Sequence, residues 1–147
     1  MKKIAALILT AALAVVSGCR VVPSGPEPKP VPEAVNASAV KLGGELLSAI
    51  RCRDFAAFCK IAPEQMKPEL DKAKFDASAD QFKAEYGELE DFEFLTMLDT
   101  PGVANAVWKV GFRRNDADGH AVRRELLFRV VVAELDGKTE ILSFGFF

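Results

Sequence analysis

The sequence predicts an α+β domain in which N-terminal helices pack on a curved antiparallel sheet of four strands. Three observations predict it. Between residues 36 and 87 the apolar residues recur at helical spacing, with capping residues in front of the runs and a glycine at the end. From residue 88 onward long stretches alternate apolar and polar and are separated by glycine-bearing turns, two of them Asp-Gly. All 11 phenylalanines fall between residues 36 and 147, a stretch long enough to bury one core.

The helices come first. Asn36 or Ser38 is placed to cap a helix carrying Val40, Leu46, Leu47 and Ile50. Asp54 is placed to cap a short second helix with Phe55 and Phe58. Pro63 suits the first turn of a third, through Met66 and Leu70, which Pro68 keeps short. Ser78 and Gln81 have the spacing of a capping box. Phe75, Ala79, Phe82 and Tyr86 follow at helical spacing, and Gly87 is the expected C-cap.

The strands are read as Glu88–Asp99, Val103–Arg114, His120–Leu135 and Lys138–Phe146. A loop at Ala117-Asp118-Gly119 sets Val110 opposite Leu126, Trp108 opposite Phe128 and Ala106 opposite Val130. A two-residue turn at Asp136-Gly137 sets Val132 opposite Ile141 and Val131 opposite Leu142. A slip of one residue would mix apolar with charged positions, so the pairing is specified. In this register one sheet face is apolar. The other carries Lys109, Arg113, Arg123, Glu125 and Arg129, and also Leu127, Val131, Leu142, Phe144 and Phe146. Those five form an expected interface, covered by a second copy of the chain, by an envelope protein partner or by one of the chain's own helices.

The 147 residues are 50% hydrophobic and 27% charged with a formal charge of -2, which excludes a wholly disordered chain and gives no reason to expect a nucleic-acid partner. The average conceals three parts. Lys2 and Lys3 precede an apolar run from Ile4 to Val16, 13 residues long. A bilayer span needs about 20, so this is the layout of a secretory signal peptide. Val16-Ser17-Gly18-Cys19 resembles the lipobox of bacterial lipoproteins. That resemblance implies cleavage before Cys19 and attachment of lipid to its thiol, giving an N-terminal acyl anchor, the palmitate-type modification of that class. Arg20, where an aspartate commonly retains such proteins in the inner membrane, favours the outer membrane, with the domain facing the periplasm, if the host is Gram-negative. Pro23, Pro26, Pro28, Pro30 and Pro32 then make an extended tether that reaches up to about 40 Å from the lipid. The expected organisation is residues 1–18 leader, 19–35 lipidated cysteine and tether, and 36–147 the α+β domain.

Within that domain, Ala49-Ile50-Arg51, Asp54-Phe55-Ala56-Ala57-Phe58 and Pro63-Glu64-Gln65-Met66-Lys67 are similar to the early helices of the nuclear-transport-factor-two-like superfamily, a cystatin-like roll. Ile141-Leu142-Ser143-Phe144-Gly145-Phe146 resembles its last strand. The resemblance spans residues 37–147 in pattern and order. It implies a conical pocket between helices and concave sheet, here lined by Phe82, Tyr86, Phe94, Trp108 and Phe128. It also implies a convex face that forms dimers. The chain departs from it in having no short strand between the second and last helices. One roll serves enzymes, binding modules and scaffolds, so it does not decide the function.

The chemistry-bearing residues lean away from catalysis. An isomerase or dehydratase would need an inward carboxylate facing a tyrosine or protonated acid. Tyr86, the one tyrosine, sits at a helix end as core or rim, and His120, the one histidine, lies beside a hairpin loop. Asn115, Asp116 and Asp118 have the composition of a turn and lack the length of a calcium loop. No metal and no cofactor is expected. Cys52 and Cys59 are disulfide candidates if a turn interrupts the helix between them, and otherwise two small apolar residues. The function expected is a membrane-anchored, non-catalytic module that binds a small ligand or a protein partner. An isomerase-like enzyme and a structural envelope protein are the alternatives.

Overall fold

The computed structural model describes residues 30–147. The leader, the lipobox with Cys19 and most of the tether lie outside the described residues. The described chain forms α1 (Glu33–Cys52), α2 (Phe55–Ile61), a 3-10 segment (Glu64–Glu69), α3 (Lys72–Tyr86) and strands β1 (Glu88–Leu98), β2 (Ala104–Asn115), β3 (Ala121–Leu135) and β4 (Lys138–Phe146). The strands form one antiparallel sheet in the order β1-β2-β3-β4, with the helices packed on one face. The fold class is the α+β arrangement expected. Among the described residues no helix is long and apolar enough to cross a membrane.

α1 begins three residues before the expected boundary. Pro32 occupies the N-cap position without a side-chain cap, Glu33 stands in the first turn, and Val35 is already in the core. Ser38 is inside the helix, its hydroxyl donating to the Ala34 carbonyl at 2.8 Å. Val35, Ala39, Gly43, Leu46 and Leu47 make the buried stripe. Arg53 ends the helix in the left-handed conformation, with φ 53°. Asp54 then caps α2 by accepting from the Ala57 amide at 2.9 Å, as the sequence predicts. α3 corrects a second expectation. Its cap is Asp71, which accepts from the Lys74 amide at 2.8 Å, so Ser78 is a mid-helix residue and no capping box forms there. That amide hydrogen bond holds the Asp71 carboxyl below its usual range.

The β2–β3 register is the expected one, with Val110 opposite Leu126, Trp108 opposite Phe128 and Ala106 opposite Val130. Asp136 (φ 51°) and Gly137 (φ 76°) both adopt positive φ, the requirement of the type I′ turn between β3 and β4. Val132 faces Ile141 as expected, but the ladder then shifts: Val131 faces Ser143, Val130 faces Phe144 and Phe128 faces Phe146. Leu142 is the extra residue of a β-bulge. A bulge inverts the facing of everything beyond it, so Phe144 and Phe146 turn towards the helices. The ring of Phe144 lies 5.9 Å from that of Phe58, and the ring of Phe146 lies 4.6 Å from that of Phe82. The expected outer interface therefore loses Phe144 and Phe146. Leu127 and Val131 remain on the outer face, and Leu142 sits half-buried at the bulge.

The remaining outer face is held by charge pairs. Arg123 forks onto Asp91 with distances of 2.7 and 2.9 Å and also meets Glu125. The guanidinium holds the Asp91 carboxyl below its usual range. Gly111 lies beneath this pair, and a Cβ there would stand 2.5 Å from the Arg123 guanidinium.

Candidate functional site

The aromatic side chains that the sequence assigns to a pocket do not share one space. Trp108 is 2% exposed and Phe128 is fully buried, and both fill the interior between α1 and the sheet. The indole lies so close under α1 that only a glycine fits at Gly43. Phe94 meets the Trp108 ring edge-on at 5.6 Å and is itself partly exposed on β1. The ring of Tyr86 meets that of Phe82 in a tilted contact at 4.6 Å and lies 6.2 Å from Phe112, so it packs where α3 meets the sheet. The expected conical pocket is thus closed at its centre by Trp108 and Phe128. Of the five expected lining residues, only Phe82 borders open space in the groove described next.

That groove lies to one side, between the β4 edge and the bodies of α2, the 3-10 segment and α3. Its volume is about 500 Å³. Phe58, Phe75 and Phe82 form its floor with Phe144 and Phe146, and Met66 and Leu70 form the opposite lip. Each wall has a local cause. The Asp54 cap starts α2 so that Phe58 points inward, the Asp71 cap starts α3 so that Phe75 and Phe82 do, and the bulge at Leu142 turns in the two phenylalanines of β4. Phe58 and Phe75 lock together with ring centroids 4.9 Å apart. The site escaped the sequence reading because Phe144 and Phe146 face it only through the bulge. The signal available was a strand whose apolar residues, Ile141 and then Leu142, Phe144 and Phe146, follow two phases.

Polar groups sit at the groove's edge. Gln65 donates its side-chain amide to the Leu142 carbonyl at 2.8 Å and pins the 3-10 segment to β4. Lys74 donates to the Glu69 carbonyl at 3.0 Å and lies 3.6 Å from the Asp71 carboxylate. Lys74 and Glu69, both exposed, are the ionisable side chains that line the groove. The floor is aromatic hydrocarbon, so the arrangement desolvates an apolar body and leaves charge for its outer end.

A second depression, of about 550 Å³, opens beside Pro30, Val31 and Asn36 where they pass the β1–β2 turn; its walls carry no aromatic side chain. At the β2–β3 hairpin, ligand atoms of Asp116, Asp118 and His120 lie within 4.8 Å of one another. Asp116 spends one carboxylate oxygen on the backbone amides of Asp118 and His120, at 2.9 and 2.8 Å, so turn formation accounts for the cluster. Cys52 and Cys59 are free thiols. Cys52 ends α1 on an exposed surface, whereas Cys59 is half-buried within α2, and the Arg53-Asp54 break does not turn one thiol onto the other.

No protein-family model and no curated protein sequence matches the chain. Solved structures do match it. Aln2 from a Streptomyces species aligns with a TM-score of 0.48 and 10% identity, over 80% of this chain and 93% of that one. The association domain of C. elegans CaMKII aligns with a TM-score of 0.45 and 19% identity, over 76% and 94%. An NTF-2 like protein of unknown function from Shewanella oneidensis aligns with a TM-score of 0.43 and 14% identity, over 77% and 97%.

Proposed function

We propose that the chain is a lipid-anchored, non-catalytic envelope protein whose domain holds an amphipathic small molecule in the groove between the helices and β4. The observation that carries the ligand reading is the groove's composition: five phenylalanine rings beneath an opening of about 500 Å³, with Lys74 and Glu69 at its edge. An apolar chain or ring system with one polar end matches it. Burial of apolar surface supplies the driving force, about 25 cal/mol per Å² before the entropic cost of binding is subtracted, and the edge groups orient the polar end. The non-catalytic part rests on the same groove, because its two ionisable groups are exposed and Tyr86 packs outside its lining. The anchor rests on the leader, the lipobox ending at Cys19 and the proline tether.

cis-Parinaric acid, a fluorescent apolar chain ending in a carboxylate, tests the groove. Saturable binding is expected, and Met66→Glu should weaken it about tenfold or more, since a carboxylate in the lip must be desolvated by the bound chain. Met66 is 38% exposed, so the thermal midpoint should stay within a few degrees. Unchanged affinity in that variant would remove the groove as the site. The anchor is tested separately. Cys19→Ser should abolish incorporation of labelled palmitate. Retention of label would exclude Cys19 as the attachment point.

A further inference from the structure

Among the described residues both edges of the sheet are free, and they are built differently. β1 is broken by register shifts between Leu89 and Asp91 and between Phe94 and Thr96, carries Glu88, Glu90, Asp91 and Glu93, and has the Arg51 side chain on its Glu90 carbonyl at 3.5 Å. These are devices that stop an edge from pairing. β4 lacks them beyond its bulge, for Ile141 to Phe147 contains no charged residue and no proline. Leu127 and Phe147 exchange both backbone hydrogen bonds, at 3.2 and 2.9 Å. In an antiparallel ladder the hydrogen-bonded pairs alternate. The amides and carbonyls of Gly145 and Ser143 therefore also point to β3, and those of Phe144 and Phe146 point away, to the open edge. The Gln65 contact confirms this phase independently, because the outward carbonyl it meets belongs to Leu142, two residues before Phe144.

We propose that β4 pairs antiparallel with β4 of a second copy about a twofold axis at Gly145, making one continuous eight-stranded sheet. The open groups are self-complementary about that residue. Phe144 of one copy comes opposite Phe146 of the other, and each such pair exchanges two hydrogen bonds, four in all. No like charges meet along the strand, which a symmetric strand pair requires. Gly145 is then opposite its own copy in a non-hydrogen-bonded pair, where Cα atoms approach to about 4.5 Å, and it has no side chain to obstruct them. Gln65 keeps its bond to Leu142, because the new rungs begin beyond it. The inward rings of Phe144 and Phe146 from both copies become neighbours, so the two grooves lie end to end. This pairing follows from the edge and stands whether or not the groove takes a ligand.

Light scattering of the full-length chain in detergent, corrected for the micelle, should give twice the protomer mass. Cysteine trapping then locates the contact. A Cβ at Gly145 meets nothing within 4 Å, so Gly145→Cys is accommodated by the fold. In a Cys52→Ser, Cys59→Ser background it should oxidise to a covalent dimer, because the Cα separation at the axis lies within disulfide range. Ser143→Cys, also exposed on the outer face, should not, since the axis sets residue 143 opposite residue 147 of the second copy. A monomer overturns the proposal. So does a dimer in which Gly145→Cys stays uncrosslinked, or in which Ser143→Cys links equally fast, either of which would move the contact to another surface.

Discussion

Trp108→Ala is expected to lower the unfolding free energy by about 3–5 kcal/mol, measured by urea denaturation. The indole is 2% exposed, lies on the central strand β2, and touches Phe94 and Phe128 with ring centroids 5.6 and 6.2 Å away. Its far rim fills the space that Gly43 leaves in α1, where a Cβ would stand 2.0 Å from Cη2 and 2.5 Å from Cζ2. The partner substitution sets two effects against each other. Gly43→Ala gains about 1 kcal/mol from helix propensity. It also places carbon at 2.0 Å where contact begins near 3.5 Å, so either α1 lifts or the indole leaves its rotamer, at about 1–3 kcal/mol. The clash is the larger, and net destabilisation is expected. Gly44→Ala is the control: nothing lies within 4 Å of its Cβ, so the propensity gain should appear there undiluted. In a Trp108→Phe background the shorter ring vacates the rim and the Gly43→Ala penalty should vanish, which a double-mutant cycle reads directly. A Gly43→Ala chain more stable than the wild type would show that α1 does not rest on this ring.

The same contact explains why the expected pocket is closed. A cone between helices and sheet remains open only if the side chains pointing into it are small or sparse. Here Trp108 and Phe128 stand on adjacent strands in direct register, and α1 descends onto them through a glycine. The open volume moves sideways, to where α2 and the 3-10 segment are short and, among the described residues, no fifth strand lies beside β4. The functional reading moves with it, from the centre of the sheet to its edge.

The hairpin of β2 and β3 was legible because period-two alternation and a glycine-terminated loop point to the same register, and a slip would have buried arginine. α2 was legible through Asp54 for a similar reason, a capping side chain directly before an aromatic run. The start of α3 was not. Asp71 and Ser78 are both capping residues, and what selects Asp71 is burial of Phe75, which requires the helix to have begun before it. The start of α1 was set by Val35 reaching the core, a tertiary contact that the prolines before it obscured. The bulge was the least legible feature. Ile141 pairs as its alternation predicts, yet one extra residue after it reverses Phe144 and Phe146, and with them the outer interface and the location of the groove. Bulges are chosen by the packing on either side, here the rings of Phe58 and Phe82, which are distant in sequence.

Gly87→Ala is expected to be the most damaging single-methyl substitution in the domain outside α1, at about 3 kcal/mol or more. Gly87 joins α3 to β1 with φ 104° and ψ -167°, a region that is essentially closed to residues with a Cβ. That strain alone costs about 1–3 kcal/mol. The added carbon would also stand 2.3 Å from the Arg113 carbonyl oxygen and 2.6 Å from its carbon, and these are backbone atoms of β2 that cannot swing aside. Relief requires moving the α3–β1 junction away from the pair formed by Glu88 and Arg113, which begins the β1–β2 ladder. Gly119→Ala separates the two contributions. It also requires positive φ, 83°, but nothing lies within 4 Å of the Cβ, so only the backbone cost of about 1 kcal/mol is expected. Urea midpoints should therefore fall in the order wild type, Gly119→Ala, Gly87→Ala, with the second gap the wider. Equal losses at the two positions would mean that the junction relaxes freely, and that α3 does not hold its place on the sheet through this contact.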